Sequence, residues 1–321
     1  MGLGAIGRDI ARAVQQKPEL DLVAVLDMDT SLVGRSLPEI LDAPAPDLRV
    51  TSDLTAAFHL ASGGLLLHAT GSRLTDVVSQ IEAALGAGMA VVSTCEELAY
   101  PWLRHPQLAE KIDRAANRKK AAVLGVGVNP GFVLDRLVAT LGGVVGKVDR
   151  VIAERVVDSR TRRQALARKT GAGLSQEAFD EAVERGEVGH VGLMESAALA
   201  ALGVGLELDE VDEDIDPVLA LEDVGVASGL AVKKGGISGV HQVARAFRDG
   251  REVVRLSLTI ALGAPAPHDA IVIDGDPPIL CRIEGGVAGD RATAWSVVHA
   301  APLVRDAAPG LMTVLDLPAG R

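Results

Sequence analysis

The first seven residues are Met1-Gly2-Leu3-Gly4-Ala5-Ile6-Gly7, and their three glycines have the spacing G-x-G-x-x-G. In a dinucleotide-binding turn, the first glycine permits a tight bend and the second lets the backbone approach a pyrophosphate. The third lets the following helix pack closely on the sheet, and the free N–H groups of that helix attract phosphates. We predict that Gly2, Gly4, Ala5, Ile6 and Gly7 bind the phosphates of a dinucleotide. The alternative is a flexible glycine-rich start.

This motif begins at the first residue, whereas a dinucleotide-binding turn ordinarily follows a buried central strand. Only Met1 precedes Gly2 in the sequence. Either the first strand of the sheet is absent or the gene begins further upstream. We therefore expect Gly2 to lie near the middle of the sheet, beside a gap where a strand would otherwise run.

Composition and charge restrict the class of protein. The 321 residues suffice for two domains, and a hydrophobic content of 48% allows a full core. A net charge of −11 without a long basic run argues against nucleic acid or an anionic membrane as partner. No apolar stretch reaches the roughly 18 residues of a membrane span, and no signal peptide opens the chain. Cys95 and Cys281 match no metal spacing, so we expect reduced thiols, no bound metal and a cytoplasmic location.

An acidic residue follows the second apolar run of the chain. Leu22–Leu26 reads as a strand, and Asp27 lies 20 residues after Gly7, where an acid that binds the adenosine ribose is expected. Such an acid favours NAD over NADP, because it repels a 2′-phosphate. Arg35 is the nearby cation that could instead accept NADP. An ordinary acid at a strand end is the alternative reading of Asp27.

Two later strands place polar residues at the edge where ligands bind in this fold. The run from Leu65 ends in Ala69, Thr70 and Gly71, a loop that we expect beneath the cofactor, with His68 as a packing residue. The predicted strand Met89–Ser93 is followed, three residues later, by the adjacent acids Glu96 and Glu97. Both are candidates for acid–base catalysis, and acids at a helix start are the alternative. We favour Glu96 as the base and keep Glu97, because Glu96 is nearer the strand end.

The alternation of strands and helices over residues 1–130 predicts a Rossmann-type doubly wound parallel sheet. After it, long strands and a hairpin around Asp249-Gly250 predict an α+β domain with an open mixed, largely antiparallel sheet. Asp274-Gly275 is a further predicted hairpin turn. The run 207–216 holds seven acids without the spacing of a calcium loop, which predicts a solvated surface segment. We predict a dinucleotide-binding domain (1–130), a substrate and dimerisation domain (131–291) and a C-terminal helix and tail (292–321). The tail contains a loop at Pro309–Met312 that we expect to return to the first domain.

Several motifs together resemble the family of 2,4-diaminopentanoate dehydrogenases and native amine dehydrogenases, which is related to the dihydrodipicolinate reductases. The resemblance covers nearly the whole chain. The motifs are the opening glycine turn, His68-Ala69-Thr70, Glu96–Pro101, Gly127–Phe132, Lys169–Leu174, Gly189–Gly192 with Glu195-Ser196, and Pro309-Gly310-Leu311. The paired histidines and the Lys-x-Asp-x-Pro-Ser-Gly-Thr run of the reductases proper are missing, which counts against a role in lysine biosynthesis.

The resemblance implies an oxidoreductase that acts on amines with NAD or NADP, the cofactor lying between two domains. It implies a homodimer formed through the sheet of the second domain, and an amine or carbonyl with ammonia as substrates. It adds Asn129 and Pro130 to the cofactor site, and it places substrate residues at Tyr100, Phe132, Thr170, His190 and Met194. The alternatives are a cyclic imine reductase and an NAD(P)-binding protein without turnover.

Overall fold

The computed structural model describes residues 1–161, 169–225 and 231–318. The chain forms two compact units, one made of Met1–Phe132 with Ala288–Arg321 and the other of Val133–Val287. Within the described ranges, every helix is too short or too polar to cross a membrane. The same ranges contain no group of three or more side chains arranged to hold a metal ion, and both cysteines are free thiols.

The first unit alternates strands with helices. Its strands are β1 (Val25–Leu26), β2 (Val50–Thr51), β3 (Leu65–His68), β4 (Ala90–Ser93), β5 (Ala122–Gly125) and β14 (Gly310–Met312). Its helices are α1 (Ala5–Val14), α2 (Leu37–Leu41), α3 (Leu54–Leu60), α4 (Leu74–Gly86), α5 (Pro106–Lys119) and α9 (Gly289–Arg305), with short 3-10 turns at Glu96–Ala99 and Val314–Asp316.

A parallel sheet in the order β14-β5-β4-β3 forms the centre of this unit, and β1 and β2 form a separate parallel pair. Val91 and Val123 join a core cluster with residues of α4 and α5. The alternate residues Val92 and Leu124 are also fully buried, so both faces of the sheet are covered. Burial on both faces explains why β5 is apolar and why β4 is apolar up to its last residue, Ser93. The predicted doubly wound parallel sheet is confirmed.

The first residues bridge the two groups of strands. The Met1 amine donates to the Leu67 carbonyl (2.8 Å), and the Met1 carbonyl accepts from Ala69 N (2.9 Å). On the other side, Gly2 N donates to the Leu26 carbonyl (2.9 Å). A cavity of about 350 Å³ lies behind this bridge, lined by residues of α1, α3, β1 and β3. This cavity between β1 and β3 is the gap in the sheet that we expected beside Gly2.

The second unit contains a six-stranded sheet in the order β13-β12-β6-β11-β10-β7. Its strands are β6 (Lys147–Asp158), β7 (Glu210–Leu219), β10 (Ile237–Arg248), β11 (Arg251–Ala261), β12 (His268–Asp276) and β13 (Ile279–Glu284). A small antiparallel pair consists of β8 (Val224–Gly225) and β9 (Ala231–Val232), and a 3-10 turn spans Ser159–Thr161. Only β6 and β11 pair in parallel; the other four pairs of the large sheet are antiparallel. The predicted mixed, largely antiparallel sheet is confirmed.

Within the described ranges, this unit contains the helices α6 (Arg136–Gly142), α7 (Gln176–Glu184) and α8 (Leu193–Gly203). The Ser175 hydroxyl caps α7 by accepting a hydrogen bond from Ala178 N (3.3 Å). The acidic run 207–216 overlaps the edge strand β7, so what we expected as a surface segment is a regular strand. Charges on an edge strand discourage pairing with another chain.

Two local predictions were wrong, both at glycines. Asp274-Gly275 is not a hairpin turn, because both residues lie within β12, where the register against β6 shifts. Position 275 requires glycine, because a Cβ there would collide with the Lys147 carbonyl. Gly310-Leu311-Met312, expected as a loop, is the edge strand β14 beside β5. Leu311 N is also bound by the Asp113 carboxylate (2.9 Å), a partner far away in sequence.

Candidate functional site

The three glycine positions of the opening turn differ in what a larger residue would contact there. Gly2 has φ +85°, and a Cβ on it would collide with the Ala69 carbonyl. A Cβ on Gly7 would collide with the Gly2 carbonyl. A Cβ on Gly4 would meet no protein atom within 4 Å, and its φ of −58° suits any residue. The protein itself therefore requires Gly2 and Gly7, whereas open space lies beside Gly4.

This open space lies at the N-terminus of α1, which begins at Ala5. Gly4 is the N-cap residue, no side chain caps the helix, and its first turn holds no acidic residue. The N–H groups and the positive dipole end of such a terminus favour an anion. The predicted phosphate-binding residues Gly4, Ala5, Ile6 and Gly7 therefore fit a dinucleotide pyrophosphate.

Asp27 directly follows β1, and its side chain is hydrogen-bonded to the glycine turn. Its carboxylate accepts hydrogen bonds from Leu3 N (2.5 Å) and from Asp29 N (2.8 Å). The acid predicted to bind a ribose is thus fixed beside the glycine turn. Arg35, the predicted cation, instead forms a surface ion pair with Glu39 through Nε (2.9 Å).

Arg8 is a cation of this region that the sequence reasoning missed. Its Nε donates to the Leu3 carbonyl (2.9 Å), which places it against the glycine turn. Hydrogen bonds from Ser31 lower the pKa of the Asp29 carboxyl, and the charge of Arg8 lowers it further. The position of Arg8 directly after Gly7 was the available signal.

The loop after β3 packs on the glycine turn. The methyl carbon Cγ2 of Thr70 lies 3.1 Å from the position that a Cβ on Gly2 would take. Thr94 N, past the end of β4, donates to the His68 carbonyl (2.9 Å). Ala69 and Thr70 therefore lie beside the turn, and the loop that they form with Gly71 lies next to the loop that carries the two acids.

The acids Glu96 and Glu97 open a 3-10 turn, Glu96–Ala99, at the carboxyl end of β4. This turn lies against the last residue of β5, because a Cβ on Gly125 would come within 2.5 Å of Ala99 N. Burial raises the pKa of the neighbouring Cys95 thiol to about 12, so it is not a nucleophile at neutral pH.

The two acids differ in surroundings. Glu97 is only 5% exposed, and its Oε2 accepts hydrogen bonds from Leu74 N (2.7 Å) and His105 Nε2 (3.0 Å). Glu97 therefore stabilises the N-terminus of α4 and pairs with a histidine. Glu96 is partly exposed at the strand end. His105 was missed by the sequence reasoning, because no motif links it to Glu97.

The remaining predicted residues of the first unit follow these strands. Tyr100 ends the 3-10 turn, and its ring lies 5.4 Å from that of Trp102. Asn129, Pro130 and Phe132 form the turn after β5, which closes tightly because a Cβ on Gly131 would collide with Gly127 N. Pro130 is buried, whereas Phe132 is exposed.

Three predicted substrate residues lie in the second unit. Thr170 is buried in the loop before α7, and Met194 is partly buried in the first turn of α8. Gln242 of β10 fixes His190: its Oε1 accepts from His190 N (2.8 Å) and its Nε2 donates to the His190 carbonyl (2.9 Å). Gly189 N donates to the Lys169 carbonyl (3.2 Å), so the loops of Thr170 and His190 are joined.

Comparison with known proteins gives consistent matches. The family profile of the 2,4-diaminopentanoate dehydrogenase C-terminal domain matches residues 132–321. The chain is 27% identical over 329 residues to the 2,4-diaminopentanoate dehydrogenase of Acetoanaerobium sticklandii, covering 100% of this chain and 93% of that protein. It is 26% identical over 345 residues to an amine dehydrogenase of Streptomyces virginiae, covering 99% and 94%. The solved structure of an amine dehydrogenase from Mycobacterium smegmatis superposes with a TM-score of 0.85 at 23% identity, covering 99% of this chain and 94% of that one.

Proposed function

We propose that this chain, which belongs to the 2,4-diaminopentanoate dehydrogenase family, catalyses the NAD-dependent oxidative deamination of an amine and the reverse reductive amination of a carbonyl. The family resemblance inferred from the sequence motifs is confirmed. Family membership supports the amine chemistry. The observation that carries the cofactor assignment is the open space beside Gly4, at the uncapped N-terminus of α1.

The residues of the first unit have separate tasks in this reaction. Gly4, Ala5, Ile6 and Gly7 would hold the pyrophosphate, and Asp27 would accept hydrogen bonds from the ribose. When bound, the nicotinamide supplies hydride transfer at the carbon that bears the amine. Glu96 takes the proton of the substrate ammonium and helps water to add to the imine.

A panel of carbonyl compounds, assayed with NADH in the presence and absence of ammonium, tests this function. We expect NADH oxidation only where both a carbonyl and ammonium are present. Turnover of cyclic imines without ammonium would instead indicate a cyclic imine reductase. A fluorescence titration that shows NADH binding without turnover across the panel would indicate a non-catalytic binding protein.

Gly4→Ala is expected to abolish tight cofactor binding while the protein stays folded. The new methyl group would enter the space beside α1 and keep the phosphates away from the helix N–H groups. Each hydrogen bond to a charged group contributes about 1.5–3 kcal/mol, so affinity should fall at least roughly tenfold. A fluorescence titration with NADH measures it.

Gly86→Ala is the matched control for that variant. A Cβ on Gly86 also meets no protein atom within 4 Å, but Gly86 ends α4. It should leave NADH affinity unchanged. Native affinity in Gly4→Ala, with an unchanged melting temperature Tm, would show that the pyrophosphate binds elsewhere.

Asp27 is expected to make the protein prefer NADH over NADPH. A fixed carboxylate repels a 2′-phosphate, and Asp27→Ala should weaken NADH binding by about 1–3 kcal/mol, because the ribose hydroxyls would lose their hydrogen-bond partner. Asp27→Asn keeps an oxygen for Leu3 N and should mainly reduce the discrimination between the two cofactors. Paired titrations with both cofactors measure the ratio, and tighter binding of NADPH by the native chain would refute the assignment.

We also propose that two chains associate through the open face of the second unit's sheet. Gln242 faces the His190 loop, so the next residue, Val243, faces the opposite side. On that side Val272 pairs with Leu280, whose side chain is 74% exposed. A partner chain on this face would cover Leu280. Sedimentation velocity of the purified protein measures the association.

A further inference from the structure

His68, the last residue of β3, is fully buried yet engages both ring nitrogens. Its Nδ1 lies 2.7 Å from the Ser93 hydroxyl oxygen. Its Nε2 lies 2.9 Å from Oε1 of Gln80 and 2.7 Å from Oγ1 of Thr70. One imidazole thus contacts the end of β4, the helix α4 and the loop after its own strand. This is more than the packing role that the sequence suggested.

The partners fix which ring nitrogen carries the hydrogen. Oε1 of Gln80 only accepts, so Nε2 of His68 must donate. The Thr70 hydroxyl donates to the same Oε1 (2.7 Å) and can accept from Nε2. The Ser93 hydroxyl accepts from Cys95 N (3.0 Å), which leaves its own hydrogen to donate to Nδ1. One neutral tautomer, with Nε2 protonated, accounts for all of these contacts of the His68 ring.

Burial lowers the pKa of His68 to about 4; the hydrogen bond with Gln80 opposes this shift, and the charge of the Met1 amine adds to it. The ring is therefore neutral at physiological pH, as the tautomer requires. The hydrogen bonds then run in fixed directions, from Cys95 N through Ser93 to one side of the ring and from its other side to Gln80 and Thr70.

The two ends of this chain of hydrogen bonds lie at the two halves of the proposed site. Cys95 directly precedes Glu96, and Thr70 packs on Gly2 of the glycine turn. We propose that His68 is a positioning residue that holds the cofactor loop Ala69–Gly71 and the catalytic loop Thr94–Glu97 in a fixed arrangement. This inference rests on the proposed function of those loops, but the hydrogen-bond chain can be tested without it.

Breaking each arm of the network separately tests the proposal. Ser93→Ala removes the link to Cys95 and should lower kcat several-fold, with little change in the Kd of NADH. Gln80→Leu removes the acceptor on the other side and should raise the Kd of NADH several-fold, with little change in kcat. His68→Phe keeps the ring volume and should show both effects. His59→Phe, at an exposed histidine of α3, is the matched control and should show neither.

A second measurement does not depend on activity. The ¹⁵N chemical shifts of the His68 ring should show the Nε2–H tautomer from pH 8 down to about 5, and hydrogen exchange at Cys95 N should accelerate in Ser93→Ala. If the shifts and exchange agree but no amine is turned over, the proposed function fails and the network stands. A protonated ring at pH 6, or variants that lose only Tm without the split between kcat and Kd, would overturn the positioning role.

Discussion

Glu96→Gln is expected to lower amine turnover roughly 10²–10⁴-fold, the usual contribution of general acid–base catalysis, and to leave NADH affinity unchanged. Gln is nearly the same size but cannot take a proton from the substrate ammonium. Glu96 stands at the carboxyl end of β4, where this fold binds its ligands, and is partly exposed. Steady-state rates with the best amine, together with a fluorescence titration, measure both effects.

Glu97→Gln is the matched comparison for that variant. Its amide oxygen can still accept from Leu74 N, but it lacks the negative charge that strengthens the hydrogen bonds from Leu74 N and His105 Nε2. We therefore expect a lower Tm and a smaller effect on turnover. The reverse pattern, with turnover lost only in Glu97→Gln at native Tm, would exchange the two roles. Near-native turnover in both variants would show that neither acid is the base.

The distinction between these acids illustrates what the sequence could and could not predict. The strand before them and its place in a parallel sheet follow from local apolar runs and from the glycine spacing. The capping role of Glu97 depends on Leu74, which is 23 residues away, and on His105. Such contacts form only when strands and helices pack, and adjacent acids have the same local pattern.

Contacts between residues that are distant in sequence also explain the other features that the sequence did not predict. Asp274-Gly275 is a turn signal by composition, but Gly275 serves a close approach to Lys147 of a neighbouring strand. The role of His68 requires Ser93 and Gln80, which come from different elements. The opening glycines were predicted correctly as a turn, yet only the structure separates Gly4, which faces open space, from Gly2 and Gly7.

A cavity of about 350 Å³ lies behind Met1, between residues of β1 and β3. Extending the chain before Met1 by about five apolar, β-branched residues is expected to raise Tm by several degrees. An added strand could fill the cavity and pair with the backbone on both sides, as Met1 already does with Leu67 and Ala69 on one side and Gly2 does with Leu26 on the other. Each buried apolar side chain contributes about 1.5–3 kcal/mol, against about 1–2 kcal/mol for ordering its backbone. In a unit of about 150–250 residues, 1 kcal/mol moves Tm by about 2–4 °C.

The Met1 amine provides a second readout. Burial lowers its pKa from 8.0 to about 6, while the nearby Asp27 opposes the shift. Between these two pH values the unfolded chain binds more protons than the native state, so native stability rises as the pH rises from 6 to 8. Any extension replaces the amine by a peptide N–H, which still donates but does not titrate. The dependence on pH in this window should therefore become flatter in every extended chain.

A Gly-Ser extension of equal length separates the two effects. It removes the amine but has no apolar side chains to fill the cavity, so it should flatten the pH dependence without the gain in Tm at pH 8. The apolar extension should show both changes. It should also tighten NADH binding, because the glycine turn would then follow a strand that is hydrogen-bonded to a neighbouring strand on each side. Calorimetry at pH 6 and pH 8, with NADH titrations at each, measures these quantities. Equal Tm values for the two extensions at pH 8 would mean that the cavity does not accept a strand.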